Sequence, residues 1–415
     1  MKPISNSIKI KILTLYAFSL VVFGFIMATP SEILLGLKNI LTQSDTLITD
    51  YIGVGGMGAT FVNSGLLTLI FIFMIYKLKV NVSGVTIASL FTISGFAFFG
   101  KNLLNVWFII LGVYLYSRYQ KEKFTKYLYI ALFGTALAPL VTEVMFSDFL
   151  VPNLRILLAA LIGTFAGFIL APLSTFLLRV HQGYNLYNIG FTAGIIGTIF
   201  ISVFKSYGFL ATPRLIWTTG NNTVLGLYLI LVFLFMMVLG YILDKDAFKK
   251  FTNILEYPGR LVEDFVFLEG FAATLINMAV NGLLATAYVI IVKGDINGPT
   301  IAGILTIVGF SAFGKHCANI VPIFLGVLLG SITKVWAINE PAILLAALFG
   351  TGLAPIAGEY GWFYGILAGF IHSSVVLNVG VLHAGTNLYN NGFSAGLVAA
   401  FLVPIINAFR KEEVE

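Results

Sequence analysis

Two lysines stand where a strongly apolar chain has little use for them. Each follows Gly-Phe-x-x-Phe-Gly, once at Gly95 to Lys101 and again at Gly309 to Lys315. A lysine directly after a glycine-rich apolar run suggests the tip of a broken helix, where a buried ammonium would attract an anion or hold a carboxylate. The plainer alternative is a tight turn from which each side chain snorkels to water. A second doubled motif, Gly-Thr-x-Leu-Ala-Pro-x-x-x-Glu, ends at Glu143 and Glu359. Its proline removes a backbone donor and bends the helix, freeing carbonyls for a cation or polar solute, and the glutamate can carry a coupling proton. A kinked packing helix with its acid at the helix end is the competing account.

Two further sets recur. His181 and His383 each open a turn that leads through Asn185 or Asn387 into an apolar helix. The histidines can shuttle protons near neutral pH, and the asparagines can cap the first helical turn and aim its positive end at an anion. The glycines of the same stretch, Gly190 to Gly194 and Gly392 to Gly396, have the spacing of a helix-packing face. Asn63 and Asn277, each three residues after a threonine, lie on one face of a helix, suited to interhelical hydrogen bonds or to lining a path. His372 has no partner, because Leu170 stands in its place.

The elements that must position these residues are membrane helices. Hydrophobic residues make up 59% and charged residues 10% of the 415, and the mean hydropathy is +0.97, a balance no water-exposed globular surface carries. Apolar runs near the roughly 20 residues of a crossing recur along the whole length, about seven in each half. They cover 10–30, 51–76, 82–99, 103–117, 127–147, 153–178 and 186–204, then 222–243, 265–292, 298–313, 318–333, 341–357, 361–382 and 388–409. The segments 82–117 and 298–333 are either full crossings or re-entrant hairpins. Two amphipathic stretches, Ser31 to Asp50 and Asp244 to Asp264, should lie along the membrane surface. The first run follows Lys9 and Lys11 and ends without a clear cleavage site, which favours a retained helix over a signal peptide. Cys317 is the only cysteine, so neither an internal disulfide nor a thiolate metal cluster is expected.

The chain is a duplication. Asp50, Gly56 and Asn63 align in order with Asp264, Gly270 and Asn277, and the register runs on through Gly84 and Gly298, Asn105 and Asn319, and both copies of the two motifs. The halves, 1–210 and 211–415, each hold an odd number of crossings and should therefore face opposite ways. Loop charge agrees: with a cytoplasmic N-terminus most of the 24 basic residues fall inside, and Lys38, Arg155, Lys205, Arg214, Lys293 and Lys334 fall outside. The expected fold is an all-α integral membrane protein with an inverted-topology repeat, both termini cytoplasmic, in the cell membrane. Motifs shared by inverted halves converge near the midplane, where such proteins bind substrate.

Gly-Thr-Gly-Leu-Ala-Pro-Ile-Ala-Gly-Glu-Tyr-Gly-Trp at 350–362 and His-Ala-Gly-Thr-Asn-Leu-Tyr-Asn-Asn-Gly-Phe at 383–393 resemble an uncharacterised family of bacterial multi-spanning membrane proteins, a domain of unknown function. That resemblance implies a location and assigns no substrate. The Gly-Tyr-Asn entry at Gly183 to Asn185 is similar to one in the urea channel family, although that family's Leu-Pro-x-Phe-Thr-x-Pro-Phe-Asn signature is missing. The segment plan also looks like that of nucleobase and anion elevator transporters, a likeness of fold alone.

The expected function is transport of a small polar or anionic solute by alternating access, with or without proton or sodium coupling. Lys101, Lys315, Asn185, Asn387, Asn63 and Asn277 are the candidate substrate contacts, and Glu143, Glu359, His181 and His383 the coupling candidates. A passive urea-type channel and a non-transporting scaffold or receptor are the alternatives. Nucleotide-loop, metalloprotease-helix and nucleophile-elbow motifs are missing, so no enzyme, cofactor or metal is expected. The expected partners are the lipid bilayer and a small-molecule or ion substrate, with self-association as an option and no nucleic acid.

Overall fold

A computed structural model describes residues 4–147, 151–209 and 214–410; Lys2 and Lys411, part of the charge argument, lie outside them. The first half comprises α1 (Asn6–Met27), α2 (Pro30–Leu41), α3 (Tyr51–Lys77), α4 (Gly84–Phe96), α5 (Trp107–Tyr119), α6 (Leu128–Gly134), α7 (Ala138–Met145), α8 (Pro152–His181) and α9 (Asn188–Ser206). The second comprises α10 (Asn222–Leu243), α11 (Ala247–Ile254), α12 (Phe265–Leu268), α13 (Phe271–Ile291), α14 (Gly298–Phe310), α15 (Cys317–Thr333), α16 (Pro341–Gly350), α17 (Ala354–Tyr360), α18 (Trp362–Val379) and α19 (Asn390–Phe409). Among the described residues ten spans are long and apolar enough to cross a membrane, with α6–α7 and α16–α17 each counted as one. The chain is a multi-pass helical membrane protein, and the bilayer is its surroundings.

Local sequence sets the helix ends. Thr29 and Glu32 form a capping box around Pro30 at the start of α2, an arrangement that satisfies two free backbone donors. Gly56 interrupts α3 with φ +81°, and Gly270 separates α12 from α13 with φ +88°, so this aligned glycine pair answers to a backbone conformation that side chains resist. The stretch 31–50 divides: α2 is largely exposed, but Asp45, Thr46, Thr49 and Asp50 turn inward and are buried. They do so because polar partners wait for them inside.

The duplication appears as matched hydrogen bonds. Asp50 caps its own helix through the Ile52 amide at 3.0 Å and also accepts from the Gly298 amide at 3.2 Å at the start of α14. Asp264 accepts from the Val266 amide at 3.0 Å and from the Gly84 amide at 2.7 Å at the start of α4. The repeat extends to α1 and α10, whose Asn6 and Asn222 clasp the chain before α4 and α14 through Val82 and Ile296 amides at 2.7 Å.

At the centre α4 and α14 pack antiparallel. Gly84 at the start of α4 abuts Ala312 just beyond α14, while Gly298 at the start of α14 abuts Phe98, and Gly95 and Gly309 bring the two backbones together midway. Each helix has 13 residues, about 20 Å at 1.5 Å per residue, short of the ~30 Å apolar core of a bilayer. All of α14 and nearly all of α4 are buried. Lipid-facing apolar side chains come from outer helices instead, such as Phe18 and Phe25 of α1 and Phe235 of α10. Glycines also seat α5 on α8, where a methyl at Gly112 would strike the Thr164 carbonyl, and α15 on α18, where Gly326 meets the Ile366 carbonyl.

The segments expected at 127–147 and 341–357 are each broken by a short tight turn, Thr135–Leu137 and Thr351–Leu353, before the proline. The carbonyls exposed there do not stay free. Ala136 accepts from the Leu388 amide at 3.0 Å and Gly352 from the Leu186 amide at 2.9 Å, so each half closes the break in the other.

Candidate functional site

Helix α4 ends at Phe96, and the chain turns through Gly100, with φ +100°, to place Lys101 back against the helix end; Gly314, φ +98°, does the same for Lys315. Asn63 of α3 pins the first turn by donating to the Ala97 carbonyl at 2.8 Å and the Lys101 carbonyl at 3.0 Å. Asn277 of α13 pins the second by donating to Ser311 and Lys315 carbonyls, both at 2.7 Å. The two asparagines therefore hold the lysine turns, and their amide nitrogens are committed to that.

Both lysines are 0% exposed, and neither snorkels. Lys315 donates to the Tyr187 hydroxyl and, at 2.8 Å, to Thr351 Oγ1, with its ammonium 4.6 Å from the centre of the Tyr187 ring. Lys101 sits over the Phe96 ring at 5.0 Å, and its ammonium makes no hydrogen bond among the described residues. The counterparts of Lys315's partners are Tyr389 and Thr135. The Tyr389 hydroxyl faces that of Thr92 instead of the lysine, and Thr135, like Thr351, donates to the carbonyl three residues before it, Leu132 and Leu348. The two clusters touch through the Tyr187 and Tyr389 rings, 5.3 Å apart, inside a shared aromatic wall that includes Phe96, Phe310 and Phe349.

No carboxylate pairs with either lysine among the described residues, whose recorded ion pairs are Lys126–Glu122 and Lys250–Asp244. An unpaired charge taken from water into apolar surroundings is costly, and the ring faces return about 2 kcal/mol or a little more when desolvated. The Lys101 side thus offers a buried cation with its hydrogen-bonding capacity unused, which an anion can fill.

Asn185 and Asn387 position the tyrosines. Each accepts from the amide two residues on, Tyr187 at 2.9 Å and Tyr389 at 3.0 Å, and each donates across to a glycine carbonyl of the other half, Gly392 and Gly190. The glycines Gly190, Gly194, Gly392 and Gly396 pack α9 against α19. His181 and His383 are buried and bond Asn188 and Asn390 through Nε2 at 3.0 Å, away from the lysine clusters. His372 bonds Asn391 at 3.0 Å and Ser394 at 3.1 Å, a pairing the first half lacks.

The glutamates do not come together. Glu143 is buried and accepts from Ser44, whereas Glu359 is exposed at the end of α17. A cavity of about 270 Å³ opens beside Leu345, Asn390 and Asn391, and none of the lysine-cluster residues lines it. Tyr187, Tyr389, Thr351 and Thr92 are the site residues that spacing alone passed over. The tyrosines sat in plain view in both copies of Asn-Leu-Tyr-Asn, and the threonine in both copies of Gly-Thr-x-Leu-Ala-Pro.

Comparison with known families matches residues 29–206 and 243–408 to the family described as protein of unknown function DUF1576, and the chain belongs to that family. No curated protein and no solved structure matches.

Proposed function

We propose that this member of a family of unknown function is a secondary transporter of a small anion, which binds between the two halves at Lys101. The observation that carries the reading is the Lys101 ammonium itself, fully buried, without a carboxylate and without a hydrogen bond among the described residues. A lysine retained there at such cost needs a charge to meet, and a transported anion is one that comes and goes. Lys315, satisfied by Tyr187 and Thr351, serves as the fixed partner of the pair.

Alternating access is supported by the antiparallel packing of the equivalent helices α4 and α14, as expected where a pseudo-two-fold axis lies in the membrane plane. The distribution of basic residues supports a cell-membrane orientation with both termini cytoplasmic. No enzymatic step enters the proposal.

Full-length protein in liposomes tests it with nitrate, chloride, sulfate, phosphate and neutral urea. At least one anion is expected to enter, and Lys101→Met to abolish its entry while the protein remains folded. Anion uptake unchanged by Lys101→Met overturns the anion site. Urea entry indifferent to that substitution identifies the passive channel instead, and no flux of any solute leaves a membrane scaffold.

A further inference from the structure

The chain between α2 and α3 carries a buried acid that has no counterpart in the second half. Asp45 is 0% exposed. Its amide donates to Thr142 Oγ1 at 3.1 Å, its Oδ2 accepts from Asn105 Nδ2 at 3.1 Å and Asn102 Nδ2 at 3.4 Å, and the hydroxyls of Tyr51 and Thr142 also lie against its carboxylate. These donors are all neutral. Two of them belong to the turn that presents Lys101: Asn105 also donates to the Gly100 carbonyl at 3.0 Å, and Asn102 directly follows the lysine. Asp45 therefore backs onto the Lys101 turn through two amide side chains.

The equivalent turn in the second half has no fully buried acid, and the half-buried Glu263 accepts from the Gly259 amide at 2.6 Å. Gly259 stands in place of Asp45, and any side chain there would collide with Asn319 Nδ2 and the Gly314 backbone. His316 replaces Asn102 and bonds the Tyr257 carbonyl at 2.8 Å, and Phe265 replaces Tyr51. The fully buried acid and the unpartnered ammonium thus occur on the same half, and the other half has its ammonium satisfied by hydroxyls.

We propose that Asp45 is a proton-binding site linked to anion binding at Lys101, so that the protein carries one proton together with one anion. The inference rests on the anion-transport reading above. The charges balance: a proton on Oδ1 makes the carboxylate neutral and leaves the ammonium as the uncompensated charge, which the anion then neutralises. With Asp45 ionised, carboxylate and ammonium offset each other across a weakly screening interior, and the anion loses its attraction. Linkage is reciprocal, so anion binding raises proton affinity by the factor by which proton binding raises anion affinity.

The groups facing Asp45 fit this role. Tyr51 comes from α3 and Asn102 and Asn105 from the turn, Glu143 of α7 approaches by way of its bond to Ser44, and Arg214, the cation whose charge Asp45 feels, reaches over the loop to Gln43 and Ser44 at 2.9 Å. Burial pushes the Asp45 carboxyl up to about 8, against the pull of its hydrogen bonds and of Arg214. The proton is accordingly held below that pH and released above it.

Two measurements on the full-length protein separate the proton site from transport. Infrared difference spectra should show a protonated-carboxyl stretch that disappears as pH rises past about 8 and is absent from Asp45→Asn. In liposomes loaded with a pH dye, external nitrate, chloride, sulfate or phosphate should acidify the lumen as it enters, and Asp45→Asn should admit the anion without moving protons. Asp45→Gly, the residue of the other half, guards against a folding defect and should behave likewise. Acidification that persists in both variants, or a carboxyl stretch they do not alter, overturns the proton site. An intact, Asp45-dependent stretch without anion flux overturns the transport reading and the linkage together, whereas anion flux that never moves protons overturns the linkage alone.

Discussion

Asn63 and Asn277 show how a polar residue in a membrane helix can be structural and still decide a site. Each spends its amide on two carbonyls of a lysine turn, and each is fully buried. Replacing either by alanine leaves those carbonyls unsatisfied, at about 1–3 kcal/mol for each group. Asn63→Ala and Asn277→Ala should both lower the thermal midpoint of the purified protein, and Asn63→Ala should in addition weaken anion uptake, because its turn carries the unpartnered lysine. The pairing of these residues was legible from the duplication. Their partners were not, since a hydrogen bond from α3 to the end of α4 depends on a backbone turn that side-chain spacing does not encode. The difference between Lys101 and Lys315 was equally hidden, because both motifs read Gly-Phe-x-x-Phe-Gly-Lys and the asymmetry lies in which hydroxyls each ammonium reaches.

At the scale of elements, the segment plan read from hydropathy is close to the observed one, and the misreadings fall on polar chain. The loop 42–50 was expected at the surface and turns inward because Asp45 and Asp50 find buried amides. The breaks at Thr135 and Thr351 hand their carbonyls to the opposite half. The central pair of short helices depends on glycine. A side chain at Gly309 would meet the Phe91 Cβ at 2.7 Å and the Ala88 carbonyl at 3.1 Å. Gly309→Leu should therefore part α4 from α14, with overpacking costs of about 1–3 kcal/mol or more read as a fall in thermal midpoint. The same substitution at Gly220, where nothing lies within 4 Å, meets no such neighbour and should have a much smaller effect despite the positive φ.

For the whole molecule, the orientation proposed from the basic residues is open to direct test. With both ends on the cytoplasmic side, a reporter fused after residue 410 should be active only in its cytoplasmic form. One inserted at the exposed Val335, next to Lys334 on the face assigned to the outside, should be active only in its exported form. Reporters active on the same side at both places would remove the opposed orientation of the halves and the transport cycle built on it.

The crossed bonds from Leu186 to Gly352 and from Leu388 to Ala136, with Asp50 and Asp264 each capping a helix of the other half, carry an evolutionary implication. Neither half is self-sufficient, yet each supplies what its twin lacks, which is the arrangement of two identical polypeptides embracing head to tail before their genes were fused. Fusion then released the copies from the obligation to stay alike. One copy now has a buried acid and an open cation where the other has a glycine and a satisfied cation, and two unlike halves can give a cycle a direction.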